Sequence, residues 1–541
     1  MHDVALVLVL LLAVAFSGIV ARILPLQVPL PLVQIATGAA LGGLLGVRIP
    51  LDPKIFFLLF IPLLLFLDGW RIPKGAFFRD LRPILILAVG LVVFTVVGMG
   101  FFIHWLVPSM PLEVAFAVAA ILAPTDPVAV AAVRGGTPMP PRLKNILEGE
   151  ALLNDAAGLD IFRFSVAAVV TGSFSLAQTA LGFAWMAAAG VGIGAGVAFA
   201  CGYALRWLGR LGGEDTGVQV LVSLLVPFAA YMAADYLRAS GILAAATAGI
   251  ASHYVTLHGT ELSVTRMQRE AIWNTVQGAL NGIIFILLGE QLVRILTADV
   301  GEARYSAVVG NWTLVLYVVA IAAALLAMRF VWVWASLYLS RVRRQIVGHG
   351  LRLRLVTITA VAGVRGAVTL AGVLSLPLLL PDGSPFPGRE VAVVIAMGVI
   401  LSSLLLASFA LPSLVRRLPS TPQLAAIGDE RGARIAAARA AVARLQSLRG
   451  EIGTSGDEGD IAREALDYLL DVYRRRLAGD ESHREDRVWI MAQTEREFHL
   501  EALAAERDQL FRLRFEQQID DELHRKLVLE VDLVEASLRG D

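Results

Sequence analysis

A single cysteine, Cys201, occurs in the 541 residues, so no disulfide can form within the chain, and its apolar setting makes it a packing residue. Charge is scarce as well. Asp, Glu, Lys and Arg make up 17% of the residues, against ~25% in an ordinary soluble domain, and they cancel to a formal net charge of zero. The total offers nothing to a polyanion, and no nucleic-acid partner is expected. A phosphate loop, zinc-ligand spacing and a nucleophile elbow are all missing. Nothing argues for ATP hydrolysis, for an enzyme or for a cofactor.

What the chain has is apolar length. Hydrophobic residues make up 57%, gathered in runs of about 20, as spans of a bilayer require. Thirteen segments are expected, near 4–21, 30–47, 55–70, 83–107, 112–133, 145–171, 179–207, 216–237, 240–257, 271–297, 308–340, 354–380 and 390–415. The first lacks the basic flank of a signal peptide and reads as a span. The fold class is therefore an all-α polytopic membrane protein of about 13 transmembrane helices. Alternate loops carry nineteen and six Lys or Arg, a bias that runs the length of the chain. The basic side is cytoplasmic by the positive-inside rule, which puts the N-terminus outside. Residues 1–417 read as the transmembrane domain. Residues 418–541 turn polar, with helical spacing over 460–478 and 497–538, and read as a cytoplasmic helical tail. Packing or dimerisation is the expected use of the tail, with ligand or pH sensing as the alternative.

Three places inside apolar runs break the pattern. Pro124-Thr125-Asp126-Pro127 puts two prolines three apart in segment 5. Each removes a backbone donor and clashes with the preceding turn, so the helix is expected to unwind there. Unwound backbone supplies carbonyls and helix ends to a cation, Thr125 adds a hydroxyl, and Asp126 offsets a positive helix end. In segment 6, Glu150 and Asn154 share a helix face and Asp155 lies about 100° further round. A carboxylate at membrane depth costs roughly 2.5–3.5 kcal/mol and by default marks an ion or proton path. Alkali cations are hard and take oxygens, which Asp155, Asn154 and Thr125 offer. Burial disfavours the charged carboxylate, so a proton competes for the same oxygens. In segment 12, Gly363-Val364-Arg365-Gly366 sets an arginine between glycines, and Glu150 is its expected buried partner. Arg329 also lies deep, with no partner assigned. Asp68 stands near the end of segment 3, as an interfacial charge or part of an ion funnel. Asn274, Gln277 and Asn281 form a polar stripe on segment 10 that reads as helix packing. Interruptions in segments 5 and 12, seven spans apart, point to an inverted-repeat core with two broken crossing helices.

Thr125-Asp126-Pro127, Glu148 to Asp155 (Glu-Gly-Glu-Ala-Leu-Leu-Asn-Asp) and Gly363 to Val368 (Gly-Val-Arg-Gly-Ala-Val), in this order, resemble the monovalent cation:proton antiporter family of bacterial sodium/proton antiporters and animal sodium/proton exchangers. The resemblance covers roughly residues 1–417. It implies a six-helix core, dimerisation helices, a homodimer in the cell membrane and elevator-like alternating access. It implies that Asp155 binds Na+ (or Li+, or K+) or H+, that Asn154 and Thr125 complete the cation site, and that Glu150 bridges to Arg365. The Asn154–Asp155 pair implies electroneutral exchange. A potassium/proton antiporter, an uncoupled cation channel or a sensor on the same fold are the alternatives. Two positions depart from the family pattern. Ala151 stands where a serine or threonine is common, and Asp68 sits one residue from the place of a third-span glutamate.

Overall fold

Apolar runs with prolines and glycines near their ends fold into helices, and among the described residues no strand forms. The computed structural model describes residues 2–24, 28–46, 58–126, 141–171, 176–212, 215–257, 263–297, 311–339, 349–417, 430–451, 457–481, 487–516, 518 and 521–539. Two compact units result, Met1–Ala425 and Ala426–Asp541.

The first unit contains α1 (His2–Ile23), α2 (Leu30–Gly43), α3 (Ile61–Arg71) and the short α4 (Lys74–Arg79). It continues with α5 (Leu81–Leu106), which holds a π-turn at Ile86–Gly90, and α6 (Leu112–Leu122). Next come α7 (Pro141–Thr171), α8 (Leu176–Gly212), α9 (Thr216–Tyr236), α10 (Gly241–Leu257), α11 (Ser263–Thr297) and α12 (Asn311–Leu339). The unit closes with α13 (His349–Val361), α14 (Ala367–Leu374) and α15 (Arg389–Arg416). Each expected apolar segment overlaps at least one of these helices, and 354–380 overlaps two, α13 and α14. By length and composition, seven helices are able to cross a membrane, while Leu30–Gly43, Leu112–Leu122 and Gly241–Val255 are shorter apolar helices. The outer surface is apolar too. Trp105, Trp185, Trp312 and Phe409 are all exposed, a surface that suits lipid and not water.

Both expected interruptions are present. α6 stops at Leu122, and the chain runs non-helically through Pro124, Thr125 and Asp126. Residues 127–140, with Pro127 and the rest of segment 5, lie outside the described residues. α13 stops at Val361 and α14 starts at Ala367, with non-helical chain between them. The two breaks touch, since the Asp126 amide donates to the Val364 carbonyl at 2.8 Å.

Small residues let the remaining helices close in. A Cβ on Gly38 of α2 would stand 1.9 Å from the Ile286 carbonyl oxygen of α11, and one on Gly289 of α11 would stand 2.0 Å from the Ile35 oxygen of α2. Each helix thus lays its backbone on the other, the close approach that small residues permit in membranes.

The second unit contains α16 (Glu430–Glu451), α17 (Asp457–Glu481), α18 (Arg487–Phe515) and α19 (Asp521–Arg539). Arg507 ties α18 to α19 through Asp532 at 2.7 Å and through Glu535. Phe511 packs edge-on to His524 at 4.8 Å between ring centroids.

Gly38→Ala is expected to destabilise the protein by about 1–3 kcal/mol, because a backbone carbonyl must move to admit the methyl. Gly18→Ala in α1, with nothing within 4 Å of its Cβ position, is expected to leave the melt unchanged. Thermal unfolding of the two variants in detergent compares them, and equal midpoints would refute the α2–α11 contact.

Candidate functional site

A helix ending away from water leaves carbonyls at its C-terminus and amides at its N-terminus without partners. Arg365 and Asp126 answer opposite ends of the broken helices. The Arg365 Nε donates to the Leu122 carbonyl at 3.0 Å, at the end of α6, and its Nη1 donates to the Gly363 carbonyl just past the end of α13. Its own amide donates to Ser403 Oγ of α15 at 3.1 Å. The guanidinium therefore puts positive charge where two helix dipoles are negative. Asp126 does the reverse at the start of α14. A Cβ on Gly366, the N-cap, would fall 1.9 Å from Asp126 Oδ2, so only glycine admits the carboxylate to that helix end. Thr369 Oγ1 donates to the Ile121 carbonyl at 3.2 Å and fastens α14 to α6.

Glu150 does not pair with Arg365. Its partner is Arg329 of α12, whose Nη1 donates to Oε1 at 2.5 Å and Nη2 to Oε2 at 2.8 Å, while Nε reaches the Thr359 carbonyl at 2.9 Å. Glu150 and Arg329 are 0% and 2% exposed, so the charges answer each other out of water. The reason for the correction is geometric. The forked guanidinium of Arg329 meets both carboxylate oxygens, while that of Arg365 is engaged by main-chain carbonyls. Trp332, one turn from Arg329, donates its Nε1 to the Ile86 carbonyl at 3.1 Å and holds α12 against the π-turn of α5.

Asn154 and Thr125, both expected at the cation site, lie side by side. The Asn154 Nδ2 donates to Thr125 Oγ1 at 2.9 Å, and both residues are buried. Asn154 Oδ1 has no hydrogen-bond partner among the described residues. Asp155 is 7% exposed and faces the charges of Asp126 and Asp68. With Asp68, Thr125, Asp126, Thr369 and Asn281 it lines a cavity of about 30 Å³, room for a water or a bare alkali cation. Asp68 thus stands in the cavity wall, where it faces Asp126 and, in opposite charge, Arg71. Arg163 lies within charge range of Asp160 and of Tyr231.

Sequence reasoning missed Asn281. Its stripe-mates Asn274 and Gln277 accept hydrogen bonds from Arg71 of α3, which is packing, but Asn281 opens on the cavity. The signal was in the stripe itself, since its last member reaches the depth of Asp68.

Broken helices joined at their breaks, around a buried carboxylate in a small cavity with further acids in its wall, define a secondary ion carrier. The chain belongs to the sodium/hydrogen exchanger family, whose description "Sodium/hydrogen exchanger, transmembrane" matches residues 7–417. It is 38% identical over 544 residues to the uncharacterized Na(+)/H(+) exchanger YjcE of Escherichia coli K12, covering 98% of each chain. It is 37% identical to the "Sodium, potassium, lithium and rubidium/H(+) antiporter" of Bacillus pumilus, covering 95% of this chain and 75% of that one. The structure of the sodium proton antiporter MjNhaP1 from Methanocaldococcus jannaschii shares the fold, with a TM-score of 0.61 at 18% identity, over 78% of this chain and 100% of that one.

A double-mutant cycle separates the two arginines. Glu150→Gln with Arg329→Gln is expected to show a coupling of about 1–3 kcal/mol in detergent melts, and Glu150→Gln with Arg365→Gln a smaller one. Larger coupling to Arg365 would return Glu150 to its expected partner.

Proposed function

We propose that this protein exchanges a monovalent cation for a proton, one for one, with Asp155 as the seat that both ligands use in turn. The observation that carries the reading is the isolation of Asp155. Neighbouring charges have assignments: Glu150 with Arg329, Arg365 on helix-end carbonyls and Asp126 at the start of α14. Asp155 has the charges of two acids before it and a cavity of ion size. A cation there relieves the repulsion, and so does a proton, but the two cannot share the same oxygens. Thr125 Oγ1 and Asn154 Oδ1 are the neutral ligands in this reading. Asn154 carries no charge, which supports one proton per cation. Sodium is the first substrate to test. Potassium, lithium and rubidium follow, since a relative is named for all four.

Residues 1–417 form the antiporter domain in this reading, with Glu150 as an architectural anchor and Asp68 as a funnel for arriving cations. The family resemblance supports alternating access and a homodimer in the cell membrane. The nineteen-to-six distribution of Lys and Arg supports an outside N-terminus and a cytoplasmic tail over 418–541.

In everted vesicles holding a pH gradient, added Na+ is expected to collapse the gradient with the wild type and to do nothing with Asp155→Asn. Collapse that survives in the variant would sink the proposal. An uncoupled channel would pass the cation without moving the gradient under clamped potential. The pH dependence has a defined sign: a proton on Asp155 excludes the cation, so the KM for Na+ rises as pH falls. The rise approaches tenfold per pH unit once Asp155 is mostly protonated. A KM that stays flat through the acid range would mean that the two ligands do not compete.

A further inference from the structure

An alkali cation leaving water must recover oxygen ligands from the protein. Around the Asp155 cavity the two threonine hydroxyls each make one hydrogen bond already. Thr125 Oγ1 accepts from Asn154, and Thr369 Oγ1 is turned to the Ile121 carbonyl. Ala151, one turn from Asp155 on α7, brings no hydroxyl at all. Asn281 of α11, half-buried, also lines the cavity, and its amide makes no hydrogen bond among the described residues.

The placement of Asn281 is built. Arg71, at the end of α3, donates to Asn274 and to Gln277 on α11. From that clamp the two helices run inward in opposite chain directions. Three residues back along α3, about 4.5 Å by helix rise, lies Asp68. Four residues on from Gln277 along α11, about 6 Å, lies Asn281. The spacings of three and four keep each residue on the face of its clamp partner. Asp68 and Asn281 therefore reach the same level, and both line the cavity. An acid alone would make a poor site. Here Asp155, more than nine-tenths buried, points into the same space with two other carboxylates and no cationic partner among the described residues.

We infer that Asn281 is a cation ligand of this protein, its amide oxygen facing Asp155 from α11 and supplying the neutral oxygen that Ala151 does not. The inference rests on the exchange reading above and adds a specificity-determining residue to it. A ligand contributed by α11 sets the width of the site, because the Arg71 clamp fixes the distance of α11 from α3. Cations of different radius then meet different distances to the Asn281 oxygen.

The test is exchange in proteoliposomes with Na+, Li+ and K+ as the probe ions, on wild type, Asn281→Ala, Asn281→Asp and Asp155→Asn. Loss of one neutral oxygen contact is expected to raise the KM for Na+ about fivefold to tenfold in Asn281→Ala, more than it lowers the maximal rate, and to change the Na+ to K+ ratio of KM values. Asn281→Asp keeps the oxygens and drops the amide donors, so its KM for Na+ is expected to fall below that of Asn281→Ala. If Asn281 instead donates to the carboxylates, the added charge makes Asn281→Asp the worse of the two, and the inference is overturned. Unchanged KM values in Asn281→Ala for all three ions also overturn it. If Asn281→Ala does not fold, the comparison of Asn281→Asp with wild type decides, a weaker Na+ KM refuting the ligand role and an equal or tighter one supporting it. Exchange that persists in Asp155→Asn refutes the underlying reading, whereas a dead Asp155→Asn with a normal Asn281→Ala refutes this inference alone.

Discussion

Three helix ends meeting inside an apolar protein impose a charge problem that the rest of the site is arranged around. The last carbonyls of α6 and α13 have no helical partners, and the first amides of α14 have none either. In apolar surroundings each unsatisfied group costs several kcal/mol. Arg365 bridges the carbonyl ends and Asp126 covers the amide end. The absence of a side chain at Gly366 is what lets the carboxylate reach the start of α14. Remove the glycine and the acid moves away; remove the acid and a positive helix end faces the cavity.

The Glu150–Arg329 pair solves a different problem. It holds α7 to α12 and, through the Thr359 carbonyl, to α13. A buried ion pair of this kind adds little net stability, because desolvation offsets much of the attraction, but losing one partner is expensive. Its value lies in register. Glu150 and Asn154 are one turn apart on α7, so anchoring the first fixes the height of the second beside Thr125.

Much of this was legible in the chain. Prolines at 124 and 127 and glycines at 363 and 366 announced the breaks, and α6 and α13 stop where they predicted. The grouping of Asn154 with Thr125 as candidate oxygen ligands came from residue types and from the family resemblance. The partner of Glu150 did not, for a physical reason. A buried acid demands a cation but not a particular one, and both Arg329 and Arg365 lay at membrane depth. Only geometry shows that one guanidinium is engaged by carbonyls. Asn281 was hidden differently. A polar stripe on a helix looks the same whether its members bind a neighbour or a cavity, and here Asn274 and Gln277 do the first while Asn281 does the second.

Coupling of cation to proton can arise in such a cavity without any contact that recognises both. Two carboxylates ~6 Å apart at an effective dielectric of 20 repel by about 3 kcal/mol. Asp155 faces two, Asp126 and Asp68, and the α14 N-terminus and Arg71 offset those charges only in part. The fully ionised, empty cavity is therefore the costly state. One positive charge, arriving as a proton on Asp155 or as an alkali ion among its oxygens, relieves most of that cost. On the exchange reading proposed above, a one-for-one ratio needs one carboxylate that takes either ligand, and Asp155 is the one without a cationic partner among the described residues. The neutral Asn154, in the position next to Asp155, keeps the number of such carboxylates from rising by one.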